Sequence, residues 1–153
     1  MTAKPATTVA AGAHSSAPPT RRSWAALLAG AIALLALVGE IVVYGRGDFD
    51  WLGGAFLLAV IAATAAGSLW AARADSVRQR TALLVPTAAV MWTFGLVGVF
   101  SPMFLLLLSA TFATAAAIRA AKVSAGARGA LVATALVAIG AATLTAIAVV
   151  VLD

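Results

Sequence analysis

The fold class this chain predicts is an all-α integral membrane protein, a bundle of five transmembrane helices with the N-terminus inside and the C-terminus outside. Three observations predict it. The 153 residues are 63% hydrophobic and 10% charged, with a mean hydropathy of +1.08, more apolar than a soluble domain of this size needs for its core. Apolar segments of about 20 residues, each enough to carry a helix through about 30 Å of hydrocarbon, recur with short connections between them. The basic residues fall almost entirely on alternate connections.

Residues 1–22 come first. They are rich in Ala, Thr, Ser and Pro without hydrophobic periodicity, and they predict a disordered, basic cytoplasmic tail. The scarcity of acids there is shared with organellar transit peptides, and Thr20-Arg21-Arg22-Ser23-Trp24 has a twin-arginine look. A retained membrane anchor is the better reading, because the apolar run that follows is longer than a signal core and has no clean small-residue cleavage site. The membrane domain, residues 23–153, then divides into spans at about 24–44, 51–72, 81–100, 102–119 and 129–152.

The first span runs from Trp24 to Tyr44 and the second from about Trp51 to Ala72. Trp24 and Trp70 on the inner side, with Tyr44 and Trp51 on the outer, match interfacial aromatic belts. From Thr81 to Ile118 the chain is apolar for 38 residues, about 57 Å as one helix and nearly twice the hydrocarbon thickness. It must turn, and Phe100-Ser101-Pro102 supplies the means: Ser caps a new helix and Pro is pre-organised for its first position. A tight hairpin between helices 3 and 4 follows. The last span ends beside Asp153.

Orientation comes from charge. Lys4, Arg21 and Arg22 precede the first span, Arg73, Arg78 and Arg80 follow the second, and Arg119, Lys122 and Arg128 follow the fourth. Only Arg46 lies on the other side, so nine basic residues face inward against one. Treating residues 81–118 as a single tilted span would reduce this to six against four. The net charge of +5 therefore reports topology and no nucleic-acid surface. The expected location is a bacterial cell (inner) membrane, the alanine content and Arg-over-Lys bias fitting a GC-rich genome.

Small residues at every fourth position let membrane helices approach closely. Ala55, Ala59, Ala63, Gly67 and Ala71 form such a ridge on the second span, with Ala59, Ala63 and Gly67 as candidate packing positions. Ala130, Thr134, Ala138, Ala142 and Ala146 form another on the last, and Ser109, Ala113 and Ala117 mark the fourth. So alanine-rich a chain makes ridges by composition alone, so they predict a compact bundle and leave self-association open.

Glu40 is the one ionisable side chain inside a span and the candidate intramembrane functional residue. Helical spacing puts it on one face with Ala29, Ala33 and Ala36. A structural role leads, through outer interfacial water or a pairing with Arg46; proton or cation handling is the alternative. Trp92 sits mid-span, where its indole N–H needs an acceptor such as a Ser or Thr hydroxyl. With Pro86 permitting a kink, Met91, Trp92 and Gly95 mark a candidate ligand groove, and core packing is the stronger expectation for them.

Other chemistry is missing. There is no cysteine, and the only histidine, His14, lies in the tail, so no thiol, haem or His-based metal site is expected in the bundle. Gly45-Arg46-Gly47-Asp48 fits the GxGD pattern of intramembrane aspartyl proteases, but no second Asp lies within a span to share the site. Arg46-Gly47-Asp48 also spells an adhesion tripeptide, and in a glycine-bearing turn it is expected to be accidental. A nucleotide-binding loop and a serine–base pair are absent as well. The sequence thus predicts a non-enzymatic structural or accessory subunit without cofactor, partnered by the lipid bilayer and by other membrane proteins or a second copy. A small oligomeric ion, proton or small-molecule transporter built on Glu40 is the alternative.

Overall fold

The computed structural model describes residues 23–46, 51–98 and 101–152. The expected tail, residues 47–50 with the Gly47-Asp48 half of the GxGD match, and the terminal Asp153 lie outside the described residues, as does the side chain of Trp51. Apart from short connections, the described residues are helical, with no strand among them. Helices α1 (Trp24–Tyr44), α2 (Trp51–Arg73) and α3 (Val77–Val97) are followed by a 3-10 turn at Pro102–Phe104 and by α4 (Leu105–Leu152). Four helices among the described residues are long and apolar enough to cross a membrane.

Local chemistry sets the helix ends. The Ser23 hydroxyl accepts from the Ala26 N–H at 3.4 Å, occupying one donor left over at the start of α1. The same device opens α3, where Ser76 accepts from Gln79 at 3.1 Å, so that helix begins ahead of the expected Thr81. Its far end stops at Gly98, and Ser101 then caps the next turn by accepting from the Met103 N–H at 3.1 Å, with Pro102 in the first position.

α4 departs from expectation. The stretch from Arg119 to Arg128, expected as a loop, is helical except at Ala125 (φ −140°, ψ 18°) and Gly126 (φ 63°, ψ −150°). Ala, Arg and Lys are strong helix formers, so charge alone does not interrupt the helix; the break waits for the glycine, whose positive φ other residues enter only at a cost. Both halves of α4 meet the same level of α3: Trp92 bonds Thr114, and Thr93 bonds the Ala141 carbonyl. On a straight helix those two partners would lie about 40 Å apart.

The packing is inverted relative to a water-soluble protein. α1 buries Ala26, Ala29, Gly30, Ala33 and Ala36 while exposing Leu34, Leu35, Val38, Ile41 and Val43. In lipid this is the stable arrangement, since large apolar groups lose nothing by facing acyl chains and small ones let backbones meet. A Cβ at Gly30 would stand 2.7 Å from Leu69 Cγ, and one at Gly95 would stand 2.8 Å from the Leu107 backbone nitrogen. The exposed Trp24 and Trp70 lie at one end of the bundle, because Gly30 near the start of α1 meets Leu69 near the end of α2.

Candidate functional site

Glu40 is the natural starting point, and its environment follows from the small stripe beneath it. Ala29, Ala33 and Ala36 are fully buried, and Glu40 in the same row is 2% exposed. Its neighbour Gly39 lets the chain at Pro102 come close, a Cβ there standing 2.9 Å from Pro102 Cβ. That approach brings Ser101 to the carboxyl, and the Ser101 hydroxyl donates to Glu40 Oε1 at 3.0 Å.

Ser101 is the centre of this polar cluster. Its Oγ also lies 3.0 Å from the Gly98 carbonyl and accepts the Met103 N–H. One hydroxyl has one proton, so it serves either Glu40 or Gly98 at a given moment. The Gly98 carbonyl has another donor in the Ser101 N–H at 3.0 Å. Releasing the hydroxyl to the carboxyl therefore leaves no carbonyl stranded. The arrangement ties the C-terminal end of α1 to the connection between α3 and α4. Arg46, the partner considered from sequence, is exposed.

Met91 and Gly95 lie inside the packed core of α3. Met91 is fully buried, and its sulfur lies 3.2 Å from the Ser109 hydroxyl, which donates at 2.6 Å to the Ala29 carbonyl of α1. Half-buried Trp92 donates its indole N–H to the Thr114 hydroxyl at 3.2 Å, the kind of acceptor its mid-span position required. The space beside Gly95 is filled by Leu107. Open space lies elsewhere on α3, in two adjoining depressions of about 380 and 300 Å³ that share Pro86, Val90 and Leu144.

On α2 the candidate packing positions separate. Ala59 and Ala63 are exposed, Ala63 lining the larger depression, while Gly67 meets α3, where a Cβ would stand 2.8 Å from Thr87 Oγ1. The buried face is instead Ile61, Thr64, Ala65, Ser68 and Ala72. On α4 the row of Ser109, Ala113 and Ala117 is fully buried.

Among the basic residues Arg73, Arg78, Arg119, Lys122 and Arg128 are exposed, whereas Arg21 and Arg22 lie outside the described residues. Arg80 differs. It is 9% exposed and donates from Nε to the Ala71 carbonyl at 3.2 Å and from Nη2 to the Ala74 carbonyl at 3.0 Å. Its guanidinium thereby satisfies carbonyls left over at the end of α2. The signal that could have found it is the brevity of the Ala74-Asp75-Ser76 link, which keeps the first turns of α3 beside the end of α2. Comparison with protein-family models, with curated proteins and with solved structures finds no match to this chain.

Proposed function

We propose that this chain is a five-span, N-in and C-out protein of a bacterial inner membrane, and that it serves as a non-enzymatic structural or accessory subunit of a membrane complex. As a single rod, α4 would extend about 70 Å, more than twice the hydrocarbon layer. The Gly126 break and the return of Ala141 to the level of Thr114 support two spans in its place.

The observation that carries the functional reading is the engagement of Glu40. The one carboxyl in the first span is buried and hydrogen-bonded to Ser101, where it holds two parts of the bundle together. The depressions on the surface are lined by apolar residues apart from Thr64 and Thr87, which offers no row of polar groups for a substrate. Burial of Glu40 also favours the second reading, an oligomeric proton or cation carrier, because intramembrane carboxylates mark such pathways.

Extraction of the tagged protein from its native membrane in mild detergent, followed by sizing and mass spectrometry, separates the two. A stoichiometric second protein is the expected result. A monomer or pure homo-oligomer whose pH-dependent flux disappears in Glu40→Gln would overturn the accessory role in favour of transport. Because the chain has no cysteine, single cysteines placed at Ser124 and Asp153 can be labelled cleanly, and five spans put them on opposite sides of the membrane.

A further inference from the structure

The two depressions on α3 form one trough. Its floor is Pro86, Val90 and Phe94, successive positions four apart along a single face of the helix and spanning about 12 Å. Val60, Ala63 and Thr64 of α2 form one wall, and Leu136, Gly140 and Leu144 of α4 form the other. The trough is apolar and nearly as long as the hydrocarbon of one membrane leaflet, about 15 Å, a length that suits an acyl chain.

What lies at its end identifies the occupant. Leu136 shares a lining with Val85 and Pro86 while the Ala141 carbonyl accepts from Thr93 further along, so the second half of α4 runs parallel to α3. Pro86 shares a lining with Leu136, and eight residues earlier on each helix stand Arg78 and Arg128. The α2 wall, antiparallel through the Gly67–Thr87 and Ala71–Arg80 contacts, ends at the same level in Arg73. All three arginines are exposed. Three separate helices thus each place an arginine at the level of one end of the trough. Pro86, which has no N–H, also leaves the Ala82 carbonyl, one turn nearer the mouth on the same face, without its helical donor. A headgroup hydroxyl would supply one.

We infer that the trough is a binding site for one anionic glycerophospholipid, with an acyl chain along Pro86, Val90 and Phe94 and the phosphate between Arg73, Arg78 and Arg128. The assignment rests on the membrane placement proposed above and goes beyond it by naming a ligand class and a site. A basic inner surface attracts anionic lipid in general; a site with fixed stoichiometry requires the trough as well.

Native mass spectrometry of the full chain in mild detergent tests this, using phosphatidylglycerol and phosphatidylcholine with identical acyl chains as probes. One phosphatidylglycerol per chain is expected to be retained in preference to phosphatidylcholine. Each well-placed arginine contributes about fivefold to anionic lipid binding, so Arg78→Gln with Arg128→Gln should cost phosphatidylglycerol about twenty-five-fold and leave phosphatidylcholine unchanged. Ala63→Phe, which fills the trough from an exposed position, should weaken both lipids; Val60→Trp does the same should the first variant fail to fold. The control pair Arg119→Gln with Lys122→Gln, on the half of α4 that does not line the trough, should change little.

Equal retention of the two lipids overturns the inference, as does an equal loss in the control pair or unchanged binding in the filled trough. A photo-crosslinker at Val90 that captures a polypeptide in place of lipid assigns the trough to a partner helix and also overturns it. Recovery of the chain without detergent would instead refute the membrane placement, so the two failures are distinguishable.

Discussion

A double-mutant cycle between Glu40 and Ser101 tests whether the buried carboxyl is structural. Ser101 donates to it at 3.0 Å where Glu40 is 2% exposed, so the carboxyl recovers no water partner when the hydroxyl is removed. Interhelical hydrogen bonds in membrane proteins average about 0.6 kcal/mol and reach about 1.7, and the burial of Glu40 favours the upper part of that range. A coupling of about 1–1.5 kcal/mol is expected. Ser101→Ala alone should cost about 2 kcal/mol, since it also removes the cap on the Met103 N–H. Glu40→Ala should cost about 2–3 kcal/mol, the excess coming from the vacated volume. Glu40→Gln retains an oxygen that accepts from Ser101 and should cost under about 1 kcal/mol. Reversible unfolding in mixed micelles by a denaturing detergent measures all four corners. A coupling below about 0.3 kcal/mol, the usual error of additivity, would refute the view that this contact stabilises the bundle.

Three further outcomes follow from close contacts elsewhere. Gly95→Ala places a Cβ 2.8 Å from the Leu107 backbone nitrogen, which cannot rotate away, so α3 and α4 must separate at a cost of about 1–3 kcal/mol in the same assay. Gly126→Ala meets no neighbour within 4 Å but must hold φ 63° with ψ −150°; about 1–3 kcal/mol of backbone strain should appear as faster hydrogen exchange on both sides of the break. Arg80→Gln cannot serve both carbonyls at the end of α2 and should cost about 2 kcal/mol, with exchange rising in the last turn of α2; Arg80→Lys should fail to restore it, because one ammonium lacks the planar fork.

How far the sequence disclosed this arrangement depended on which signal each residue carried. The bounds of α1 were legible because both ends carry a local mark, Ser23 at one and Tyr44-Gly45 at the other. The face holding Ala29, Ala33, Ala36 and Glu40 was legible too, since large residues occupy the rest of that helix and leave one small stripe. α2 offered no such contrast. Alanines occupy several of its faces, so the fourfold ridge through Ala59 and Ala63 carried little information, and the buried face is selected by partners on other helices, including Leu69 against Gly30. Ser101 was recognised as a cap and not as the partner of Glu40, because that contact joins residues 61 apart in the chain. Arg80 was counted with its neighbours as a topology signal, and nothing in its type distinguishes a guanidinium folded back onto carbonyls from one in water.

The polar contacts have a distribution that bears on what such a bundle is for. Burying alanine and glycine against one another removes little apolar area from lipid, so cohesion has to come from close backbone approach and from hydrogen bonds. Several interfaces among the described residues carry one or two: Glu40 with Ser101 and Ser109 with the Ala29 carbonyl hold α1, Arg80 joins α3 to α2, Trp92 with Thr114 joins α3 to the first half of α4, and Thr93 with the Ala141 carbonyl joins it to the second. Almost every one of these groups is consumed in holding a helix to its neighbour. What remains outward is Leu, Val, Ile and Phe along the spans, a trough on α3, and arginines at one end. A bundle that spends its polar chemistry internally and presents an apolar flank with a basic rim fits the accessory role proposed above, which is why lipid identity and co-purifying subunits are the informative measurements.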